Sequence, residues 1–176
     1  MRLPLIIVML AAAFLVSACS SPTPPDGVTV VQNFETQRYL GKWYEIARLD
    51  HPFESGLEKV TATYSLRDDG ALNIINRGYN PDRGMWQQTT GEAWFTGDPR
   101  TAALKVSFFG PFYGGYNIIA LDDDYRYALV CGPDRNYLWL LSRTPTLPEK
   151  VKQQMLAIAA RQGFAVEKLL WIKQAP

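Results

Sequence analysis

The sequence predicts an all-β fold: an eight-stranded antiparallel up-and-down β-barrel with one C-terminal external α-helix and a ninth strand. From residue 41 onward, short apolar or aromatic runs alternate with turn-forming residues at intervals of about 8 to 15 positions. One later segment instead has apolar residues at helical spacing. The chain has 176 residues, 47% of them hydrophobic and 20% charged, which suits one globular domain and excludes a disordered chain.

Eight runs are the candidate barrel strands. The breaks between them contain turn residues, for example Asp68-Asp69-Gly70 and Gly132-Pro133-Asp134. Because an eight-stranded barrel has room for one small ligand, we expect an internal cavity. The predicted strands span residues 42–50, 59–66, 72–78, 85–95, 103–109, 116–121, 125–131 and 137–143.

The helix is predicted between Pro148 and Gly163, where apolar residues recur every three or four positions. The eighth run is apolar at consecutive positions, so both of its faces must be covered. We therefore expect the helix to pack outside the barrel on Leu138 and Leu140, with Trp139 pointing inward. The ninth strand is predicted at 168–173.

The first 18 residues have the pattern of an export signal. Arg2 precedes an apolar run from Leu5 to Val16, and the small residues Ser17 and Ala18 follow. This run is shorter than the roughly 20 apolar residues that a membrane-spanning helix needs. The mature chain is therefore expected to be exported without spanning the membrane.

Cys19 follows this segment in the pattern Val16-Ser17-Ala18-Cys19, which resembles the lipobox of bacterial lipoproteins. The resemblance implies that Cys19 is lipidated, and Ser20 after it implies sorting to the outer membrane. The alternative is an ordinary cleaved signal with an incidental cysteine. The predicted organisation is a lipoprotein signal peptide at 1–18, a lipidated N-terminus and tether at 19–27, and a folded domain at 28–176.

The net charge and the few potentially catalytic residues exclude several classes of function. One of the 18 basic residues, Arg2, leaves with the signal peptide, so the mature chain has no net charge and no electrostatic footprint for nucleic acid. Cys131 lies in an apolar run, where a buried thiol behaves as a small hydrophobe; a catalytic thiol would need a base such as the one histidine, His51. Without a Gly-x-Ser-x-Gly motif or metal-ligand spacing, we expect no catalytic residues, no metal and no cofactor.

Three motifs in order resemble those of the lipocalins, in particular the bacterial outer-membrane lipoprotein lipocalins that are similar to apolipoprotein D. The resemblance runs from about Val28 to the end of the chain. It departs from the family at 121–125, where the turn is one residue longer than the usual Thr-Asp-Tyr. The motifs are Gly-x-Trp within Tyr39-Leu40-Gly41-Lys42-Trp43-Tyr44-Glu45-Ile46, the run Tyr125-Arg126-Tyr127-Ala128-Leu129-Val130, and Leu140-Leu141-Ser142-Arg143-Thr144-Pro145 before the helix.

Two of the motif residues should meet at one end of the barrel. The first and eighth strands are antiparallel neighbours in an up-and-down barrel, so Trp43 and Arg143 reach the same end. A guanidinium stacked on an indole contributes about 0.5 to 2 kcal/mol and would close the barrel floor. Gly41, Trp43 and Arg143 are therefore interpreted as structural residues.

Alternation along the strands, aligned to Trp139, predicts a dry inner wall that also includes Ala120. Glu45 shares the parity of Trp43, so its carboxylate should point inward. Its partner would be either an inward basic side chain or the ammonium group of a ligand. The predicted ligand-binding residues are Leu104, Val106, Phe108, Tyr116, Ile118, Ala128, Val130, Trp139 and Leu141.

The turns at 49–58, 79–84, 110–115 and 132–136 should surround the open end. The segment 108–116 is rich in aromatic residues, too many for a solvated hairpin tip. Phe109, Phe112 and Tyr113 are candidates for a ligand portal, a membrane contact or a homodimer interface, or else they pack back over the mouth.

The resemblance implies a binding protein at the cell outer membrane, lipid-anchored, with its domain facing the periplasm. It would store or transport an amphiphilic lipid, such as a fatty acid or lysophospholipid, without bond chemistry. Two other classes stay open: a lipid-modifying enzyme on the same scaffold, and a structural envelope lipoprotein whose cavity is incidental.

Overall fold

The computed structural model describes residues 22–174, except the side chain of Phe112. Cys19 and the predicted signal peptide lie outside the described residues. Eight antiparallel strands form the barrel, as predicted. They are β1 (Gly41–Arg48), β2 (Glu58–Leu66), β3 (Leu72–Asn80), β4 (Met85–Phe95), β5 (Ala103–Phe109), β6 (Phe112–Leu121), β7 (Tyr127–Cys131) and β8 (Leu138–Ser142).

The sheet closes because β1 pairs with both β2 and β8. Near the mouth, the C-terminal segment joins β1 through a short strand, β9 (Leu170–Trp171). The Gln174 side-chain amide then donates to the carbonyls of Glu45 (2.7 Å) and Val60 (3.0 Å). The C-terminal segment therefore bridges β1 and β2, a role that the predicted ninth strand at 168–173 did not anticipate.

A β-bulge in β6 changes which side chains face inward. Ile118 pairs with Val130, but Ala120 pairs with Leu129, so one extra residue lies between the two pairs. Because a bulge shifts the alternation by one position, Ala120 joins the outer cluster instead of the inner wall. The prediction for Ala120 was therefore wrong.

The hairpin between β5 and β6 is tighter than predicted. Phe109 pairs with Phe112, so only Gly110 and Pro111 lie between the strands. The segment predicted as a loop at 110–115 is mostly strand. A four-residue helix, α1 (Thr36–Tyr39), also precedes β1 without having been predicted.

The longer of the two α-helices within residues 22–174, α2 (Glu149–Arg161), packs on the outside of the barrel as predicted. Met155 and Ala159 on α2 share a buried cluster with Leu138 and Leu140 on β8. This outer core is separate from the one inside the barrel. Within residues 22–174, no helix is long and apolar enough to cross a membrane.

Trp43 closes the barrel floor together with Arg143. The Trp43 side chain is fully buried, and the Arg143 Cζ lies 3.9 Å from the centroid of its ring. The Trp43 Nε1 donates to the Tyr39 carbonyl at 2.9 Å. Gly41 has φ +92°, and a Cβ there would lie 3.5 Å from the Arg143 guanidinium, so a side chain would strain the backbone where the two strands meet.

Arg143 also satisfies carbonyl groups that the barrel end leaves without partners. Its three nitrogens donate to four backbone oxygens at 2.8 to 3.1 Å, and a planar guanidinium can do this where a lysine ammonium cannot. The acceptors are the carbonyls of Arg38, Leu40, Lys42 and Tyr125.

Replacing Trp43 by alanine should destabilise the domain by about 3 to 5 kcal/mol, because a large, fully buried ring leaves a cavity. Chemical denaturation of wild type and variant measures the loss. The matched control is Trp171→Ala, since Trp171 is 47% exposed and its removal should cost at most about 1 kcal/mol. An unchanged unfolding midpoint for Trp43→Ala would contradict the structural role of this residue.

Candidate functional site

The interior of the barrel is lined by all nine side chains that the sequence predicted to point inward. They belong to one cluster that also includes Trp43 from the floor. Five of the nine side chains are buried and four are partly buried. The members are Leu104, Val106, Phe108, Tyr116, Ile118, Ala128, Val130, Trp139 and Leu141.

Burial decreases toward the mouth. Leu104 and Ile118, near the floor, are at most 2% exposed. Val106 and Phe108 lie closer to the mouth on β5 and are only partly buried; Tyr116, which pairs with Leu104, is partly buried as well. Since these side chains face inward, their remaining exposed surface borders the barrel interior. We call the mouth half, where Val106, Phe108 and Trp139 remain partly exposed, the open half of the calyx; the floor half is packed.

Three tyrosine hydroxyl groups meet inside the barrel on the floor side. The Tyr116 oxygen lies 2.7 Å from the Tyr39 oxygen and 2.7 Å from the Tyr64 oxygen. Burial raises the pKa of all three phenols above the usual value, so they stay protonated. We define Tyr39, Tyr64 and Tyr116 as the tyrosine triad. The sequence alone did not predict this triad, although the alternation along β2 and β6 places Tyr64 and Tyr116 on the inner face of the barrel.

Glu45 points inward, as its parity predicted, and its partner is a protein side chain. The Arg48 Nη1 donates to the Glu45 carboxylate at 2.8 Å, and both side chains are buried. Three positions apart on a strand they would face opposite ways, but a register shift after Glu45 brings Arg48 to the same face. Of the two alternatives for Glu45, the internal ion pair is the one observed.

Arg48 also fixes the loop that follows β1. Its Nη2 donates to the carbonyl oxygens of Glu54 and Leu57. The Glu54 carboxylate in turn accepts a hydrogen bond from the Trp139 Nε1 at 3.1 Å and lies 3.0 Å from the His51 Nε2. This mouth network of Glu45, Arg48, His51, Glu54 and Trp139 holds the loop against the calyx wall.

The two carboxylates of the mouth network differ in acidity. Burial raises the pKa of Glu45 to about 8, helped by the nearby charge of Glu54 and opposed by Arg48. For Glu54, hydrogen bonds from His51 and Trp139 outweigh the burial that acts in the other direction, so its pKa is lowered. Of the two carboxyl groups, Glu54 is therefore the stronger acid and Glu45 the weaker one.

The aromatic residues at the mouth do not all pack back over it. Phe109 is 69% exposed, and Phe53 in the loop after β1 is 76% exposed. The Tyr113 ring lies 5.8 Å from that of Trp94 and is 40% exposed. The predicted Phe112 side chain lies outside the described residues. An exposed apolar rim therefore surrounds the open end.

Cys131 belongs to the outer core under α2 rather than to the calyx. Its side chain is fully buried, and burial raises the pKa of the thiol to about 12. A thiol with so high a pKa is a poor nucleophile at neutral pH. Cys131 therefore acts as a small packing residue.

The raised pKa of Glu45 predicts a specific pH dependence. The unfolded chain releases this proton near pH 4.5, whereas the folded protein keeps it up to about pH 8. The free energy of unfolding should therefore fall as pH rises through this window. Glu45→Gln should remove that part of the decline, as measured by denaturation at a series of pH values.

Glu54→Gln is the matched control, because the pKa of Glu54 is lowered. Its stabilising contribution is present above the unfolded pKa and is lost as pH falls through the folded one. Glu54→Gln should therefore change the acid side of the profile. Equal pH profiles for wild type and Glu45→Gln would contradict the raised pKa of Glu45.

Comparisons with known proteins agree with this geometry. The model of the lipocalin-like domain family matches residues 34–174. The chain is 73% identical to the outer membrane lipoprotein Blc of Citrobacter freundii over 99% of this chain and 98% of that protein. It is 34% identical to apolipoprotein D of Mus musculus over 88% of this chain and 82% of that one.

Solved structures show the same fold at low sequence identity. Insecticyanin from the tobacco hornworm Manduca sexta superimposes with a TM-score of 0.70, at 20% identity, over 87% of each chain. The motifs, the closed barrel with its external helix, and these matches agree. The chain therefore belongs to the lipocalin family, as a relative of the bacterial outer-membrane lipoproteins within it.

Proposed function

We propose that this protein binds an amphiphilic lipid, a fatty acid or lysophospholipid, in its calyx and stores or transports it at the outer membrane. The observation that supports this most directly is the apolar inner wall, which is packed near the floor and partly exposed near the mouth. An acyl chain fits such a lining, because burying each methylene contributes about 0.8 kcal/mol. The function is sequestration, with no bond made or broken.

The proposed location rests on the N-terminal segment and on the relatives. The lipobox predicts acyl groups on Cys19, and relatives such as that of Citrobacter freundii are named outer membrane lipoproteins. In this proposal, residues 1–18 are removed as the signal peptide, 19–27 form the lipidated tether, and 28–176 form the domain that faces the periplasm. Two acyl chains or more hold a protein firmly, whereas one alone gives marginal binding.

The exposed rim has two candidate partners, a lipid surface and a second copy of the chain. Phe53 lies in the loop after β1 and Phe109 at the end of β5, and both are among its most exposed apolar side chains. Sedimentation of the purified protein distinguishes the two, since a homodimer through the rim should dissociate in Phe109→Ser. A monomer whose Phe109→Ser variant binds vesicles more weakly supports the lipid surface.

Affinity should rise with acyl chain length until the open half of the calyx is full and then level off. Added salt should change it little, because the mature chain has no net charge. Displacement of a fluorescent fatty acid by competitors of increasing length, at low and high salt, measures both trends. An affinity that does not depend on acyl chain length but falls sharply with added salt would mean that the headgroup determines binding.

Trp139→Phe should weaken acyl chain binding, because the Trp139 ring lines the open half and its Nε1 holds Glu54. The same displacement assay measures the effect. The matched control is Trp94→Phe. Trp94 follows the inward Ala93 on β4, so it lies on the outer face of the barrel. Equal weakening by the two substitutions would place the ligand outside the calyx.

Cys19→Ala should release the domain into the soluble periplasmic fraction, because the predicted anchor depends on acyl groups at this residue. Cell fractionation with mass spectrometry of the wild-type N-terminus tests this. Full membrane attachment of the variant, together with an unacylated wild-type Cys19, would exclude the anchor.

A further inference from the structure

The strand ladder between β4 and β5 stops before it reaches the mouth of the barrel. Four consecutive residue pairs join the two strands, and the pair nearest the mouth is Glu92 with Ser107. Residues 85–91 of β4 continue from there toward the mouth and pair with β3. Within residues 22–174, no strand pairs with the other edge of this segment. The wall of the barrel therefore has a cleft in its mouth half, between β4 and the hairpin of β5 and β6.

The inner face of β4 changes from buried to exposed where this ladder stops. Ala93 belongs to the interior cluster. Because side chains alternate along a strand, Gly91 and Thr89 lie on the same inner face. Ala93 and Gly91 are buried, whereas Thr89 is exposed. Solvent therefore reaches the inner face of the wall on this side of the barrel.

The Phe108 ring fills the inner end of the cleft. Phe108 packs against the interior cluster and also borders the cleft from outside, where Thr90, Ser107 and Tyr113 line it. A Cβ at Gly91 would lie 2.6 Å from the Phe108 ring, so the ring occupies the space that a side chain at that position would need. Where the backbone ladder stops, Phe108 therefore separates the calyx from solvent. We call these five residues the side cleft.

The opposite side of the mouth, next to β1, is held by charged groups. Glu45 and Arg48 are at most 4% exposed and form an ion pair at 2.8 Å. Arg48 also donates to carbonyl oxygens of the loop after β1. A hydrocarbon chain that passed here would separate buried charges from their partners, which is costly. Rotation of the Phe108 side chain to another rotamer breaks no hydrogen bond.

We propose that the side cleft is the entrance of the calyx and that Phe108 is its gate. When the Phe108 ring turns aside, an acyl chain moves in sideways between β4 and the hairpin of β5 and β6. Its headgroup stays in water beside the hydroxyl groups of Thr90 and Ser107. This inference rests on the proposed function, and it adds the route that the ligand takes and the residue that controls this route.

A gate has a kinetic signature that a wall residue does not have. Entry and exit pass through the same open state, so a gate changes the association and dissociation rate constants by the same factor and leaves Kd unchanged. A residue that only contacts the bound chain changes mainly the dissociation rate constant. The association rate constant therefore distinguishes the two roles.

The test uses the whole mature chain carrying Cys19→Ala, so that it stays in solution, and stopped-flow mixing with cis-parinaric acid, an unbranched fluorescent fatty acid. Thr90→Trp adds a ring to the outside of the side cleft and should lower both rate constants roughly threefold or more, with Kd unchanged. Phe108→Ala removes the gate and should raise the association rate constant by a similar factor. Its dissociation rate constant should rise at least as much, because the wall also loses a ring.

Two further variants are the matched controls. Thr63 and Thr90 lie in one row on the outer face, on either side of Ile75. Thr63→Trp adds the same ring away from the side cleft and should leave both rate constants unchanged. Val106→Ala shortens an interior side chain on β5 and should raise the dissociation rate constant alone. Thermal unfolding shows that each variant is folded.

Three results would overturn the inference, with different consequences for the proposed function. If Thr90→Trp leaves the association rate constant unchanged, or slows it no more than Thr63→Trp does, the chain does not pass the side cleft. An unchanged association rate constant in Phe108→Ala would show that this ring is not a gate. In both cases only the inference fails. If the chain carrying Cys19→Ala binds no fatty acid, the proposed function fails with it.

Discussion

The contact between Trp43 and Arg143 is the interaction on which the rest of the structure depends. The barrel has to end somewhere, and at its floor the backbone leaves carbonyl groups that no strand satisfies. One guanidinium covers the indole face at 3.9 Å and binds carbonyls from the segment before β1, from β1 itself and from the turn before β7. Closing one end in this way lets the other end remain open.

Stability and binding are located in different parts of the sheet. The outer core under α2, which includes Leu138, Leu140 and Met155, is buried whether or not the calyx is filled. The floor half of the interior is packed as well, around Trp43 and Tyr39. Because these two cores supply most of the buried apolar area, the mouth half can keep partly exposed side chains without loss of the fold. The position of the open space therefore follows from where the sheet is already stable.

The calyx is apolar along its walls but polar at two levels. At the mouth, Arg48 connects Glu45 with the loop that contains Glu54. Deeper inside, the tyrosine triad crosses the barrel with hydroxyl groups that burial keeps protonated. From the mouth inward, charged groups therefore come first and hydrocarbon side chains follow. This order suits an amphiphile with its headgroup outward and its chain inward.

The sequence by itself determined the barrel, the external helix and the inward direction of nine lining side chains, because period-two alternation and turn residues are local properties of the chain. It predicted that Trp43 and Arg143 meet, since the up-and-down order places their strands side by side. Only the tertiary structure decided the exceptions. The bulges after Glu45 and Ile118 reversed the alternation, turning Arg48 inward and Ala120 outward. The triad joins residues 77 and 52 positions apart, and such contacts depend on how the closed barrel brings distant strands together, which no local pattern records.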